Sequence, residues 1–323
     1  MKVVVLTTSY PTTGNPVAGN FVASSVDAAR GAGVEVDVVS PASFRHFGVA
    51  LGSGVAQNLR AAPWKLGLVP PFLVSFAIAA RRGASDADVV HAHWIPSALA
   101  ARATGKPYVL QVWGTDVALA QRAPRLVRPL VRNARVVIAA SNFLADEART
   151  LGARRVEVVP PPVRVPDHVG EPAQPPHVLF AARLSEEKGI LEFVAATAGL
   201  PRVIAGDGPL RDRVPGALGF VPPSELGSYY ERATVVCVPS RRDGYGVTAR
   251  EALAHGRSVV ATRVGGLADL SGPGVTLVPP GDTAALRAAI ESALASPSRP
   301  EPTGTSADEV GRALRVVYEA VLR

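Results

Sequence analysis

The sequence predicts an α/β protein of two doubly wound domains. Short runs of branched apolar residues alternate with helical patterns along the whole chain, the succession that builds βαβ units. Within the runs the apolar residues are continuous rather than alternating, which marks strands buried on both faces of a parallel sheet. The proline-dense stretch VVPPPVRVPDHVGEPAQPPHV (158–178) has no periodicity and divides the runs into two sets as a stiff linker.

The first set of strands is VVVLTT (3–8), VEVDVVS (34–40), DVVHAHW (88–94), PYVLQVW (107–113), RVVIAAS (135–141) and VEVVP (156–160). The second is HVLFAARL (177–184), RVIAGD (202–207), LGFV (218–221), TVVCVPS (234–240), SVVATRV (258–264) and GVTLVPP (274–280). The first domain is placed at 1–165 and the second at 166–305, ending in the linker SPSRPEPTGT (296–305). A last helix, 306–323, opens on a capping box, Ser306 with Glu309. It sets Val310, Leu314, Val317 and Val321 on one face, a stripe that must cover something apolar.

The chain has 323 residues, 47% of them hydrophobic, and a net charge of +7. That length fits two domains of roughly 100–200 residues each. The single cysteine, Cys237, excludes an intrachain disulfide, fits a reducing compartment and reads as a buried structural thiol within TVVCV. The positive charge is almost all arginine, with lysine only at Lys2, Lys65, Lys106 and Lys188. It suits an anionic partner, although arginine in place of lysine also follows from genome composition alone. No zinc spacing, RNP-like stretch or basic–aromatic interleaving occurs, so nucleic acid is not an expected partner. The opening MKVVVLTTSY reads as a strand and not as a signal peptide.

The longest apolar run, LGLVPPFLVSFAIAA (66–80), holds Pro70 and Pro71 and falls short of the roughly 20 residues of a spanning helix. Its first reading is a helix packed beside the sheet. Its second is a membrane-facing patch, aided by Arg81 and Arg82, that serves a lipid-linked acceptor. A soluble, cytoplasmic protein is expected, peripheral to the inner face of the membrane under the second reading.

The richest chemistry lies in RRDGYGVTAREALAHGRSVVATRVGG (241–266). A strand ends, the loop RRDGYG turns, VTAREALA opens a helix and Gly256 ends it. Such a unit aims helix N-terminal amides at the strand ends, a ready anion site. Asp243 stands at the mouth of the loop and Glu251 about one turn into the helix. The two acids read as acceptors for different hydroxyl-rich groups, or as a turn-forming Asp and a Glu favouring the helix dipole. ARLSEEKG (182–189) puts Arg183 and Lys188 on one loop after a strand. An arginine fork and a lysine point charge there neutralise a diphosphate, unless Glu186 and Glu187 merely compensate them at the surface. AGDGPL (205–210), with Gly208, is another glycine-rich turn after a strand, without the full dinucleotide fingerprint.

Together these stretches resemble the family 4 retaining glycosyltransferases of the GT-B fold. ARLSEEKGI is similar to the family's G-R-L-x-x-x-K-G, and AGDGPLRDRV to its G-x-G-P loop. GFVPPSELGSYYERATVVCVPS resembles the stretch leading into P-S. DGYGVTAREALAHGRSVVATRVGG resembles E-G-F-G-x-x-x-x-E-A-x-A-x-G-x-P-V-V-A-T-x-x-G-G. The likeness implies two Rossmann-like domains facing a cleft, with the last helix packing back towards the N-terminal domain. It implies that Arg183 and Lys188 bind a donor diphosphate and that Glu251 holds the ribose hydroxyls. Asp243 takes the place of the family's first Glu, which contacts the donor sugar, and is one methylene shorter. The backbone amides of Gly244, Tyr245, Gly246 and Val247 would face sugar and phosphates.

The first domain is then the acceptor side. SYPTTGNPVAGNFVASSVDAARGAGVEVDVVSP (9–41) resembles the family's first loop, in which Gly19 would approach the donor phosphate. HAHWIP (91–96) resembles the end of a central strand; His91 and His93 lack metal-ligand spacing and read as core or site-lining residues. QVWGTD (111–116) matches the family's H-G-x-D, with Trp113 in place of its His. Asp116 is the remaining polar acceptor there, or an N-cap. Asp86-Ala87-Asp88 imitates a metal-binding D-x-D but precedes its strand and reads as a turn, so no metal is expected.

The function implied is transfer of a sugar, with retention, from a nucleotide diphosphate sugar to an acceptor hydroxyl. It suits cell-surface glycan, glycolipid or small-molecule glycoside synthesis. The donor is a co-substrate and no cofactor is expected. Positioning and stabilisation of the leaving diphosphate would supply the catalysis, with Asp243, Arg183, Lys188 and Asp116 as its residues. The alternatives are a GT-B nucleotide-sugar epimerase or phosphorylase and a catalytically silent nucleotide-sugar-binding protein.

Overall fold

A computed structural model describes residues 1–12, 18–50, 55–114, 117 and 123–323, with only the backbone of 56 and 57. The chain divides into two compact units, Met1–Pro162 with Ala307–Arg323, and Val163–Ser306.

Unit 1 is built on a six-stranded parallel sheet. Its strands are β1 (Lys2–Leu6), β2 (Glu35–Val39), β3 (Val89–His93), β4 (Tyr108–Val112), β5 (Val136–Ala139) and β6 (Val156–Val158), in the order β2-β1-β3-β4-β5-β6. The helices between them are α1 (Asn20–Gly31), α2 (Val55–Ala61), α3 (Val69–Gly83), α4 (Ile95–Ala103), α5 (Pro124–Asn133) and α6 (Asn142–Thr150). β3 and β4 are buried along their whole length, as continuous apolar strands must be with helices on both faces. Local chemistry fixes the helix starts. Ser141 accepts the Leu144 amide at 3.2 Å to cap α6, and Pro124 opens α5 where no amide partner is lost.

Unit 2 has a five-stranded parallel sheet of β7 (Val178–Ala181), β8 (Arg202–Ala205), β9 (Val235–Val238), β10 (Ser258–Thr262) and β11 (Val275–Val278), ordered β11-β10-β9-β7-β8. Its helices are α7 (Ile190–Ala196), α8 (Pro223–Arg232), α9 (Val247–Ala254) and α10 (Thr283–Ala295). Two apolar clusters sandwich the sheet, one around Phe180, Phe193 and Ile290, the other around Leu179, Tyr230 and Leu253. The proline-rich stretches are tied down within this unit: Val163 and Thr305 form an antiparallel bridge.

LGFV (218–221) does not form the expected strand. Gly219 forms an isolated antiparallel bridge with Gly206 and the Leu218 amide donates to the Ile204 carbonyl at 2.9 Å, but no ladder follows. Leu218 and Phe220 are exposed, so no burial supports a strand, and Pro222 next in line has no amide to donate.

The last helix, α11 (Ala307–Leu322), belongs to unit 1 and packs along α1. Its expected stripe is the contact: Val310, Leu314 and Val317 are buried with Val22, Val26 and Val34 in one core, and Val321 packs against it. A Cβ on Gly311 would strike the Ala28 carbonyl, so the two backbones meet where only glycine fits. The Tyr318 hydroxyl reaches His91 Nδ1 at 2.8 Å and anchors the helix on β3.

Candidate active site

In unit 2 the chain leaves β7 towards β8 on one side and later returns to pair β9 on the other. β7 and β9 therefore flank a topological switch point, where the loops after the two strands diverge and ligands bind in open α/β sheets. Those loops carry Arg183 and Lys188 after β7, and Asp243 to Gly246 after β9.

The loops are laced together. Lys188 Nζ donates to Asp243 Oδ2 at 2.8 Å, and the Arg241 amide donates to the Glu187 carbonyl at 2.9 Å. Lys188 thus answers Asp243, 55 residues away, rather than Glu186 or Glu187. Glu187 instead faces Arg242 at 3.7 Å. Arg183 is exposed just beyond β7. The glycine-rich turn after β8 joins the same end: the Leu184 amide donates to the Asp207 carbonyl at 2.9 Å and the Leu210 amide to the Leu184 carbonyl at 3.0 Å. A Cβ on Gly208 would collide with Leu184 backbone atoms, and the Gly208 amide itself donates to Asp207 Oδ1 at 2.7 Å.

Asp243 organises the loop that bears it. Its Oδ1 accepts the Gly246 amide at 2.7 Å and the Tyr245 amide at 3.3 Å, and its Oδ2 lies 3.4 Å from Ser240 Oγ. Of the four amides expected to face a ligand, those of Tyr245 and Gly246 are thus occupied by this carboxylate. Burial pushes the Asp243 carboxyl up, but the Lys188 charge and these bonds outweigh it and hold the group below its ordinary value. Gly246 caps α9 at φ 78°, the left-handed region where a side chain is strained. As N-cap it offers no side chain to the first turn of α9, whose amides lack intrahelical partners. The amide end of α9, with Val247 exposed on it, stands behind the Lys188–Asp243 pair.

Glu251 sits one turn into α9, half-buried, and its Oε2 accepts the Tyr230 hydroxyl of α8 at 2.8 Å. Burial raises its pKa against the opposing pull of that bond. Glu251 is a positioned acceptor with one oxygen held by Tyr230.

Sequence reasoning missed two arginines. Arg250 lies over the Tyr245 ring, 4.0 Å from its centroid, and donates to the Tyr245 carbonyl, so it clamps the loop in front of α9. Arg257, fully buried, donates to the carbonyls of Tyr230 at 3.1 Å, Glu231 at 2.8 Å and Gly170. It fixes the end of α8 that presents Tyr230. A basic residue in an otherwise apolar GRSVVA run was the available signal.

In unit 1 the switch point lies between β1 and β3. Gly19, at φ 67°, lies against the Ser9 carbonyl where a Cβ would clash, so the loop after β1 must be glycine there. The carboxyl ends of β3 and β4 carry an aromatic cluster: Phe21 lies 4.4 Å from Trp113, and Trp113 stacks on His93 at 5.9 Å. Trp94 adopts φ 64°, an outlier for a bulky residue that is sustained only where packing over-determines it. His91 and His93 are buried beneath; Trp113 Nε1 donates to His93 Nδ1 at 3.2 Å. Burial holds both rings neutral, His91 down to a pKa of about 3. Asp116 lies outside the described residues. Asp86 pairs with Lys2 at 2.7 Å. Among the described residues no three His, Cys, Asp or Glu side chains form a metal-ligating group.

Two parallel, doubly wound sheets with glycine-rich loops at their switch points define a GT-B-type protein, and solved structures agree. The chain is similar to sucrose-phosphate synthase from Thermosynechococcus elongatus, with a TM-score of 0.73 at 19% identity over 100% of this chain and 95% of that one. It is similar to Anabaena HepE, solved in complex with UDP and glucose, with a TM-score of 0.70 at 17% identity over 99% and 100%. By sequence it is 32% identical over 284 residues to the 2-deoxystreptamine N-acetyl-D-glucosaminyltransferase of Streptomyces fradiae, covering 70% of this chain and 67% of that one. It is 29% identical over 305 residues to the D-inositol 3-phosphate glycosyltransferase of Acidothermus cellulolyticus, covering 73% and 68%. Residues 18–165 match Glycosyltransferase Family 4 and residues 175–296 match Glycosyl transferases group 1. The chain belongs to glycosyltransferase family 4 and is a glycosyltransferase.

Proposed function

We propose that the protein transfers a sugar from a nucleoside diphosphate sugar to an acceptor hydroxyl with retention at the anomeric carbon and without a metal. The observation that carries this reading is the Lys188–Asp243 pair, which joins the loops after β7 and β9 in front of the α9 amide end. In it Arg183, Lys188 and the α9 amides take the diphosphate, where charge develops as the glycosidic bond breaks. Glu251, steadied by Tyr230, accepts the ribose hydroxyls. Asp243 holds Lys188 and the loop, and the donor sugar lies beside it. The leaving phosphate takes the acceptor's proton. The aromatic cluster of Phe21, Trp94 and Trp113 in unit 1 suits the flat faces of an acceptor, with Asp116 assigned to the same side. The UDP bound by HepE supports a nucleotide donor.

Calorimetric titration with UDP, GDP and ADP tests the donor site. One of them binds the wild type, and Arg183→Ala and Lys188→Ala each weaken that binding about tenfold or more, the scale of one charge-assisted hydrogen bond. Unchanged affinity in both variants rejects the site. Proton NMR of the first glycoside formed decides retention: inversion at the anomeric carbon rejects it.

A further inference from the structure

One flank of unit 1 is basic and free of carboxylates. The segment Val38–Ser85 contains no Asp or Glu but holds Arg45, Arg60, Lys65, Arg81 and Arg82. The same holds for α4 and α5, which bring Arg102, Arg125, Arg128 and Arg132 without a carboxylate. α4 packs against α3 and against α5, so the three helices form one continuous basic layer. The acids bordering the segment, Asp37 and Asp86, both pair with Lys2, at 3.0 and 2.7 Å.

This layer is also apolar where it meets solvent. On the three helices Val74 is 60% exposed, Leu126 77%, Ile78 46% and Leu99 45%, and on the 3-10 turn Pro63–Leu68 that leads into α3 Trp64 is 71% exposed and Leu66 61%. Residues Pro63–Gly83 have a mean hydropathy of 1.4 over an 18-residue window of which only 17% is buried. By length and composition this segment is long and apolar enough to cross a bilayer, but Phe72, Phe76 and Ala80 are in the core of unit 1 and Phe44 stacks on Phe76 at 4.5 Å, which ties it to the fold. Beside α3 runs an open groove of about 1010 Å³, lined by Phe44, Pro71, Val74 and Ile78, with Arg45 and Arg82 on it. α3 thus buries one face and leaves an apolar outer face with Arg81 and Arg82 at its C-terminal end and Arg45 on the groove beside it.

We propose that the α3–α4–α5 layer docks on an anionic phospholipid bilayer. The exposed apolar side chains enter the boundary between head groups and acyl chains, and the arginines meet the phosphates. Apolar burial and charge attraction act together in such interfacial binding, and salt screens the contribution of the basic side chains. The first reading of this segment, a helix packed beside the sheet, accounts for its inner face; the bilayer accounts for the outer one. The proposal stands apart from donor binding in unit 2.

Co-sedimentation of the full chain with phosphatidylcholine vesicles, with and without phosphatidylglycerol, tests it. Binding is expected only with phosphatidylglycerol, falling as salt rises, with a blue shift of Trp64 fluorescence that Trp64→Phe removes. Arg81→Glu with Arg82→Glu lowers vesicle affinity at least tenfold, and so does Val74→Ser with Ile78→Ser; far-ultraviolet circular dichroism and a cooperative thermal melt like that of the wild type show that each variant is folded. Absence of vesicle binding overturns the proposal, as does equal binding to neutral vesicles or binding indifferent to both double variants. Analytical ultracentrifugation supplies a further outcome: a dimer that Val74→Ser with Ile78→Ser dissociates gives the face to a second copy of the chain and overturns the bilayer.

Discussion

Asp243 is the residue whose removal tests the site most directly, because it has two separable jobs. Asp243→Asn keeps an acceptor oxygen for the Gly246 and Tyr245 amides but removes the charge that faces Lys188. Exposed pairs contribute about 0–1 kcal/mol, and breaking a buried pair costs about 3–5 kcal/mol. Here the side chains are 31% and 11% exposed, so the loss lies between, about 1–2 kcal/mol. Asp243→Ala also strands two amides of a buried loop, each costing about 1 kcal/mol or more, and loses about 3 kcal/mol in all.

The assay is a double-mutant cycle of Asp243→Asn with Lys188→Met, read by urea unfolding. Calorimetric and van't Hoff enthalpies are compared first, because a chain of two units need not unfold in one step. The expected coupling is about 1–2 kcal/mol. A coupling below about 0.3 kcal/mol, the range of independent sites, refutes the view that the two loops act as one unit. The pH dependence gives a second check. The folded pKa of Asp243 is depressed, so its stabilisation is present above the ordinary carboxylate value and is lost as pH falls through the folded one. The gap between wild type and Asp243→Asn therefore closes below about pH 4.

Gly246→Ala places a Cβ against Leu267 at φ 78° and costs about 1–3 kcal/mol; an unchanged thermal midpoint counts against strain at the α9 cap. Tyr230→Phe deletes the bond that lowers the Glu251 pKa while burial still raises it. The acid limb of nucleotide binding, measured by calorimetry across pH, then moves to higher pH, and a limb that stays put removes Glu251 from the site. His91 stays neutral down to about pH 3 and burial depresses His93 as well, whereas unfolded imidazoles take up protons below about pH 6.5. The unfolded state then binds more protons, so stability falls on acidification by up to roughly 1.4 kcal/mol per pH unit for each ring. Thermal melts of His91→Asn show a shallower slope, and an identical slope excludes His91 as its source.

The fold was legible because parallel sheets write themselves into sequence as unbroken apolar runs. Val89–His93 and Tyr108–Val112 are buried on both faces, so every residue had to be apolar or internally bonded, and the pattern was visible without partners. LGFV failed for the complementary reason: an apolar tetrapeptide holds a strand only where a neighbour buries it, and that is a property of the other chain segments. The site was half legible on the same principle. Arg183, Lys188, Gly208 and Asp243 stand on loops directly after strands, and strand order alone decides that the loops after β7 and β9 meet. What residue spacing did not reveal is that Lys188 would choose Asp243 over its own neighbours Glu186 and Glu187. A flexible lysine takes the carboxylate that is least hydrated and best held. Asp243 is 11% exposed and fixed by two amides, whereas Glu187 is 44% exposed. The roles of Arg250 and Arg257 were hidden for a related reason. Their partners are main-chain carbonyls of Tyr245, Tyr230 and Glu231, groups that every sequence contains and only a fold turns inward.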